Sequence, residues 1–183
     1  MLRTDEDLLI EYRAGNHDIF KEIVERYTPL LFSFSKRLGV GSDAPDVVQE
    51  IFIKIWKNIG RFDENKASFK TWIFRIARNS IIDFLRKKKS IVFSNLENEE
   101  EESFESTISS EEELPEIAID KLKDAEGLNK ILKQLPTNYQ EVLSLYYQEE
   151  MTFDQIGEIL GKSINTVKSQ HRRAVLQLRK LLT

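Results

Sequence analysis

The chain has 183 residues, a net charge of -4, two histidines and no cysteine, a length sufficient for one large core or two small ones. The missing cysteines exclude disulfides, thiolate metal sites and cysteine nucleophiles, and no apolar run reaches the roughly eighteen residues of a membrane helix. The opening stretch MLRTDEDLLIEY turns acidic where a secretion signal needs an apolar core, so the expected location is cytoplasmic.

Thr4 before Asp5, Glu6 and Asp7 starts a helix with a small apolar face of Leu8, Leu9 and Tyr12, ended at Gly15 and Asn16. Phe20, Ile23, Val24 and Tyr27 begin a longer helical period; Pro29 perturbs it, and Leu30, Leu31, Phe34 and Leu38 resume it up to Gly39. His17 has no ligand partner nearby and reads as a surface residue. Ser42 or Asp43 caps the next helix and Pro45 opens it. Val48, Ile51, Phe52 and Ile55 face inward there, and Asp46, Gln49, Glu50, Lys54 and Lys57 face outward. Such an outer face is either solvated or a partner surface. The loop from Asp63 to Ser68 leads into a helix whose buried stripe is Phe69, Trp72, Ile73, Ile76 and Ala77, with Arg75, Arg78, Asn79, Asp83 and Arg86 to Lys89 on its polar side. Aromatic groups interleaved with cations are what a single strand of DNA requires, a track for its backbone and flat surfaces for unstacked bases. Trp72 itself falls at the buried period, which leaves the preceding loop as the better base contact.

Residues 93–116 carry ten Glu among scattered Ser and few apolar groups, too little to offset the entropy of ordering. This segment is a solvated spacer or a mimic of nucleic acid. Helix is expected over 117–134, a break at Leu135 and Pro136, and a further helix capped by Thr137 with Gln140, in which Tyr139, Val142, Leu143 and Tyr146 align. Thr152 with Gln155 caps a short helix bearing Phe153, Ile156, Ile159 and Leu160 on one face. Gly161 ends it and Ser163 caps the last helix, whose buried stripe is Ile164, Val167, Ala174, Val175, Leu178 and Leu181. Asn165, Lys168, Ser169, Arg172 and Arg173 recur on its other side. A helix-turn-helix with such a face suits a major groove, where cations meet phosphates and Arg, Asn or Ser reach base edges; the plainer reading is a solvated basic face.

Charge placement favours nucleic acid. Residues 61–90 hold nine Lys and Arg against three Asp and Glu, residues 162–183 hold six against none, and residues 91–120 hold eleven acids and no base. The acidic total comes from one segment, flanked by two basic patches. A metal-dependent nuclease needs clustered carboxylates, and the dense ones lie in the spacer. A stand-alone helix-turn-helix regulator needs only the last helices and leaves the basic, aromatic segment at 61–90 without a role.

The segments DAPDVVQEIFIKIWKNIGRFD, ASFKTWIFRIARNSIIDFLRKKK and LPTNYQEVLSLYYQEEMTFDQIGEILGKSINTVKSQHRRA, in this order, resemble the extracytoplasmic-function (group IV) sigma factors of bacterial RNA polymerase. The resemblance implies an all-α protein with no enzymatic activity, cofactor or metal: a region 2 domain over 1–92, a flexible acidic linker over 93–116 and a region 4 domain over 117–183. It implies core polymerase as partner, through its beta-prime clamp and beta flap, together with promoter DNA, single-stranded at the -10 element and duplex at the -35 element. It leaves room for an anti-sigma factor and requires no membrane insertion. Asp46, Gln49 and Glu50 then face the clamp. Phe62, Asp63, Ser68, Arg75, Arg78, Asn79, Asp83 and Arg86 meet the -10 strand, and Asn165, Lys168, Ser169, Gln170, Arg172 and Arg173 the -35 duplex. The linker corresponds to the segment that runs through the polymerase cleft. Where many members have Arg followed by an apolar residue, this chain has Gln170 and His171, a lost cation that bears on -35 affinity or sequence choice.

Overall fold

The computed structural model describes residues 3–93, 132 and 134–182. The expected spacer at 93–116 and helix at 117–134 lie almost wholly outside them. Among the described residues every regular element is helical: α1 (Asp5–Arg13), α2 (Phe20–Arg37), α3 (Ala44–Asn58) and α4 (Phe69–Phe93), then α5 (Thr137–Tyr147), α6 (Phe153–Leu160) and α7 (Ile164–Leu182), with short 3-10 turns at His17–Ile19, Gly41–Asp43 and Ile59–Arg61.

α1 starts as its sequence requires. Thr4 Oγ1 accepts from the Asp7 N–H at 3.2 Å and the Asp7 carboxylate accepts from the Thr4 N–H at 2.9 Å, a reciprocal cap. The hydrogen bond from the Thr4 backbone also holds the Asp7 carboxyl below its usual range. α2 runs through Pro29 unbroken. At α3 the expected cap differs: Asp43 occupies the N-cap position without bonding the helix end, because its carboxylate accepts from Lys88 Nζ at 2.6 Å and so ties α3 to α4. α2, α3 and α4 pack around Ile23, Leu31, Phe34, Ile51, Ile55, Ile73, Phe74 and Ile81, all without exposure. Tyr27 closes the α1 end, donating its hydroxyl to Asp5, and burial pushes its phenol well above the ordinary value.

The second half corrects one further cap. Thr137 is the first residue of α5 rather than its cap, and Gln140 Nε2 donates to the Leu135 carbonyl at 2.7 Å. α6 follows expectation: Thr152 and Gln155 cap each other reciprocally, and Gly161 ends the helix at φ 65°, a left-handed conformation open to glycine at no steric cost. Ser163 Oγ accepts from the Thr166 N–H at 3.2 Å and starts α7.

The halves do not keep separate cores. α6 packs on α4, and Val142, Leu145, Met151, Ile156, Ile159 and Val167 belong to the same buried cluster as Ile23, Ile51 and Ile73. A satellite of Leu135, Leu143, Ala174, Val175 and Leu178 joins α5 to α7. Among the described residues no helix is long and apolar enough to cross a membrane.

Candidate nucleic-acid interface

The recognition surface on α7 follows from its turn. Gly161 and the Ser163 cap aim the helix so that Val167 and Ala174 are buried, while Asn165, Lys168 and Ser169 are exposed together. Arg172 and Arg173 are half-buried and already engaged within the chain. Gln170 accepts from Lys162 Nζ at 3.2 Å, which pins its amide beside the turn. His171 lies in an aromatic cluster, with its ring centroid 4.7 Å from that of Tyr146 and 5.2 Å from that of Phe153. Its Nε2 is 3.2 Å from the Tyr147 hydroxyl. Burial lowers the His171 pKa, so the ring favours its neutral form. The two positions that depart from the family pattern thus hold internal contacts, and the exposed face is carried by their neighbours.

A second surface lies at the start of α4. A hollow of about 360 Å³ is lined by Lys54, Asn58, Arg61, Trp72, Ile76, Asn79 and Ser80. Asn79 is exposed there, and Lys54 Nζ donates to Ser80 Oγ at 3.0 Å. A flat indole, an amide and cations around one hollow match what an unstacked base and its phosphate demand. Asn58 and Arg61 escaped the sequence reading, which had Lys54 only as an outward group of α3, because these residues come from α3 and the turn after it, and packing brings them to α4.

Other residues assigned to the -10 strand are placed differently. Phe62 is a correction: it is 5% exposed, with its ring centroid 5.2 Å from Phe69 and 5.4 Å from Trp72, so its ring is core and offers no face to a base. Asp63 accepts from the Asn65 N–H and Nδ2, each at 3.1 Å. The Asn65 backbone bond foremost lowers its pKa; this carboxylate shapes the loop. Ser68 is exposed but acts as the cap of α4, accepting from the Thr71 N–H at 3.2 Å. Arg86 donates to Asp83 at 3.0 Å on the far part of the helix. Arg75 and Arg78 do not reach the hollow: Arg75 donates through Nε and Nη2 to the Glu158 carbonyl at 3.0 and 2.8 Å, and Arg78 donates through Nε to Glu141 at 3.0 Å.

A third surface is the outer face of α3, where Asp46, Gln49 and Glu50 are exposed together. Ile53 is 46% and Trp56 56% exposed on the same side. These apolar groups one turn further along complete a patch with an acidic rim and an aromatic anchor, the composition of a protein-binding surface. Their period is out of phase with the buried stripe, a signal available in the sequence. Among the described residues no group of His, Asp and Glu could hold a metal ion.

Comparison with known proteins shows the family of the chain. The family model described as Sigma-70 region 2 matches residues 23–91, and Sigma-70, region 4 matches residues 131–180. The chain is 35% identical to the ECF RNA polymerase sigma factor SigW of Bacillus subtilis (strain 168), over 94% of this chain and 93% of that protein. It is 31% identical to the ECF RNA polymerase sigma-E factor of Escherichia coli (strain K12), over 93% of this chain and 90% of that one. Among solved structures, the sigma factor RpoE of Bartonella quintana, in complex with the anti-sigma factor NepR, matches with a TM-score of 0.69 and 25% identity, over 89% of this chain and 96% of that chain.

Proposed function

Because the chain belongs to the extracytoplasmic-function sigma factors of the sigma-70 family, we propose that it works as the promoter-recognition subunit of a bacterial RNA polymerase, with its labour divided among the surfaces described above. It binds core polymerase, directs it to promoters and opens DNA, without covalent chemistry of its own and in the cytoplasm. In this reading residues 1–92 grip the clamp and hold the -10 strand, residues 93–116 link, and residues 117–183 read the -35 duplex. The exposed row of Asn165, Lys168 and Ser169 on a helix held by a glycine turn carries the -35 assignment. Asn79, Trp72, Lys54 and Arg61 around one hollow support the -10 assignment. Asp46, Gln49, Glu50, Ile53 and Trp56 form the clamp-facing patch. A relative caught with an anti-sigma factor makes a partner of that kind a further expectation.

The testing experiment is transcription in vitro with purified core polymerase on fragmented DNA of the source genome. Defined start sites that require both core and this chain are the expected result. DNA binding without any polymerase-dependent start would leave only a stand-alone regulator.

A further inference from the structure

Helical period places Ile164 in the inward stripe of α7 with Val167, Ala174, Val175 and Leu178. The structure leaves those four 6% exposed or less, and Ile164 40% exposed. Ile164 is the first residue of the helix, and the other apolar groups around the turn, Ile156, Ile159, Leu160 and Val167, are buried. Several polar groups next to it serve the turn itself. Ser163 Oγ lies 2.8 Å from Thr166 Oγ1 and accepts from the Thr166 N–H, and Lys162 Nζ donates to Gln170. Ile164 thus stands in the open with Asn165, Lys168 and Ser169, and Lys168 follows it by one helical turn on the same side. A lone apolar group on a surface is ordinary. One that opens a reading helix is placed where base edges are reached, because the front residues of such a helix enter the groove.

The apolar feature of the major groove is the 5-methyl group of thymine. We propose that Ile164 is a specificity-determining residue, packing its branched side chain on the methyl group of one thymine in the -35 duplex, beside the base edges or phosphates met by Asn165 and Lys168. This rests on the -35 reading of α7. Residues 159–183 contain no Asp or Glu, so this face has no carboxylate to accept from a cytosine amino group. Exchange of that thymine for cytosine removes the methyl group and sets a polar donor against an aliphatic chain, which costs binding. The preference for thymine at this step comes from the isoleucine, and the cations around it supply affinity for the duplex as a whole.

The test uses polymerase carrying the full chain and fluorescein-labelled fragments of a promoter located by the transcription experiment above. Each thymidine of the -35 element, on either strand, is replaced in turn by deoxyuridine, which pairs in the same way and lacks only the methyl group. Affinity is read by anisotropy. At one position the replacement should weaken wild-type binding about fourfold, the worth of burying one methyl-sized group, with little effect elsewhere. Ile164→Ala should bind the thymidine and deoxyuridine fragments equally at that position. Ile164→Val, still branched and apolar, should keep part of the ratio. Taking the ratio of the two fragments for each protein cancels any general loss from a shifted α7; a merely structural role would lower both affinities alike. Should circular dichroism show Ile164→Ala unfolded, Ile164→Asn, polar at the same exposed place, decides by the same ratio. The proposal is overturned if no thymine methyl group matters to the wild type, or if the alanine or asparagine variant keeps the full ratio. Scrambling the -35 element checks the underlying reading separately: unchanged binding removes the -35 assignment and this proposal with it, and weaker binding without any deoxyuridine effect removes only the role of Ile164.

Discussion

His171 shows how a single residue joins the stability of the reading helix to solution conditions. Its ring packs among Tyr146, Tyr147 and Phe153, and burial lowers its pKa from 6.5. A base with a depressed folded pKa contributes stability that is present above its unfolded value and is lost as the pH falls through the folded value. Acidification from pH 6.5 towards the carboxylate range should therefore loosen the second half in wild-type protein. His171→Phe, which fills the same aromatic site without a titrating group, should lack this part of the pH dependence. Tyrosine fluorescence and thermal unfolding across that range decide it; equal slopes for both proteins would remove the role assigned to the ring. Asn79 poses the complementary case of a residue whose worth lies outside the fold. It is exposed at the rim of the hollow, so Asn79→Ala should leave stability and polymerase binding intact and reduce promoter opening. A fluorescent base analogue in the -10 element reads this, and normal opening kinetics would contradict the assignment.

The helix-turn-helix is the element with the least tolerance for added volume. A Cβ on Gly157 would stand 2.8 Å from the Lys162 carbonyl, and the neighbour is backbone that cannot rotate away. Gly157→Ala must push the turn from α6, shifting α7 with it, and should cost about 1–3 kcal/mol as overpacking does. Gly161→Ala meets no neighbouring atom but forces a side chain to φ 65°, a strain of about 1–2 kcal/mol. The pair is informative together: Gly157→Ala should impair -35 binding beyond its effect on stability because it displaces the recognition row, and Gly161→Ala should act on stability first. Denaturant unfolding combined with duplex titration separates the two, and equal binding by both variants under conditions where each is folded would refute the distinction. α3 is simpler as an element, with Val48, Ile51, Phe52 and Ile55 buried and Asp46, Gln49 and Glu50 open to solvent on its outer face.

That freedom matters for the molecule as a working part of polymerase. Replacing Asp46 and Glu50 with Lys reverses two charges on an exposed face, removes the Glu50–Lys54 pair at 3.0 Å, and spares the core. An exposed pair of this kind is worth about 0–1 kcal/mol, so folding should survive while core-polymerase binding falls by like-charge contact with a basic partner surface. Trp56→Ala should weaken the same binding through lost apolar contact. Anisotropy titrations of labelled protein with core polymerase, with circular dichroism as the folding control, measure both. Undiminished binding by the charge-reversed protein would move the clamp surface elsewhere.

Short-range chemistry was legible in the residues themselves. The caps at Thr4 and Thr152, the glycine at position 161, the serine at 163 and the apolar period of α3 are set by neighbours within a turn or so, and the structure keeps them, whereas the stripe of α7 is kept only from Val167 to Leu178, its end members Ile164 and Leu181 being 40% and 39% exposed where no neighbouring element covers the helix ends. Where a side chain had a choice of partner, distance along the chain concealed the outcome: Asp43 prefers Lys88, Gln140 prefers the Leu135 carbonyl, and Phe62 prefers Phe69 and Trp72. Periodicity marks Arg75 and Arg78 as polar positions on α4 but carries no information on what faces them. Their partners arrive from residues 158 and 141, across the acidic stretch. Among the described residues, which segments form helices and which of their faces carry cations could be read from the chain, because these follow from local hydrogen bonding and helical period. Which cations remain open to solvent could not, because long side chains pair with whatever carboxylate or carbonyl the packing of apolar faces brings within reach.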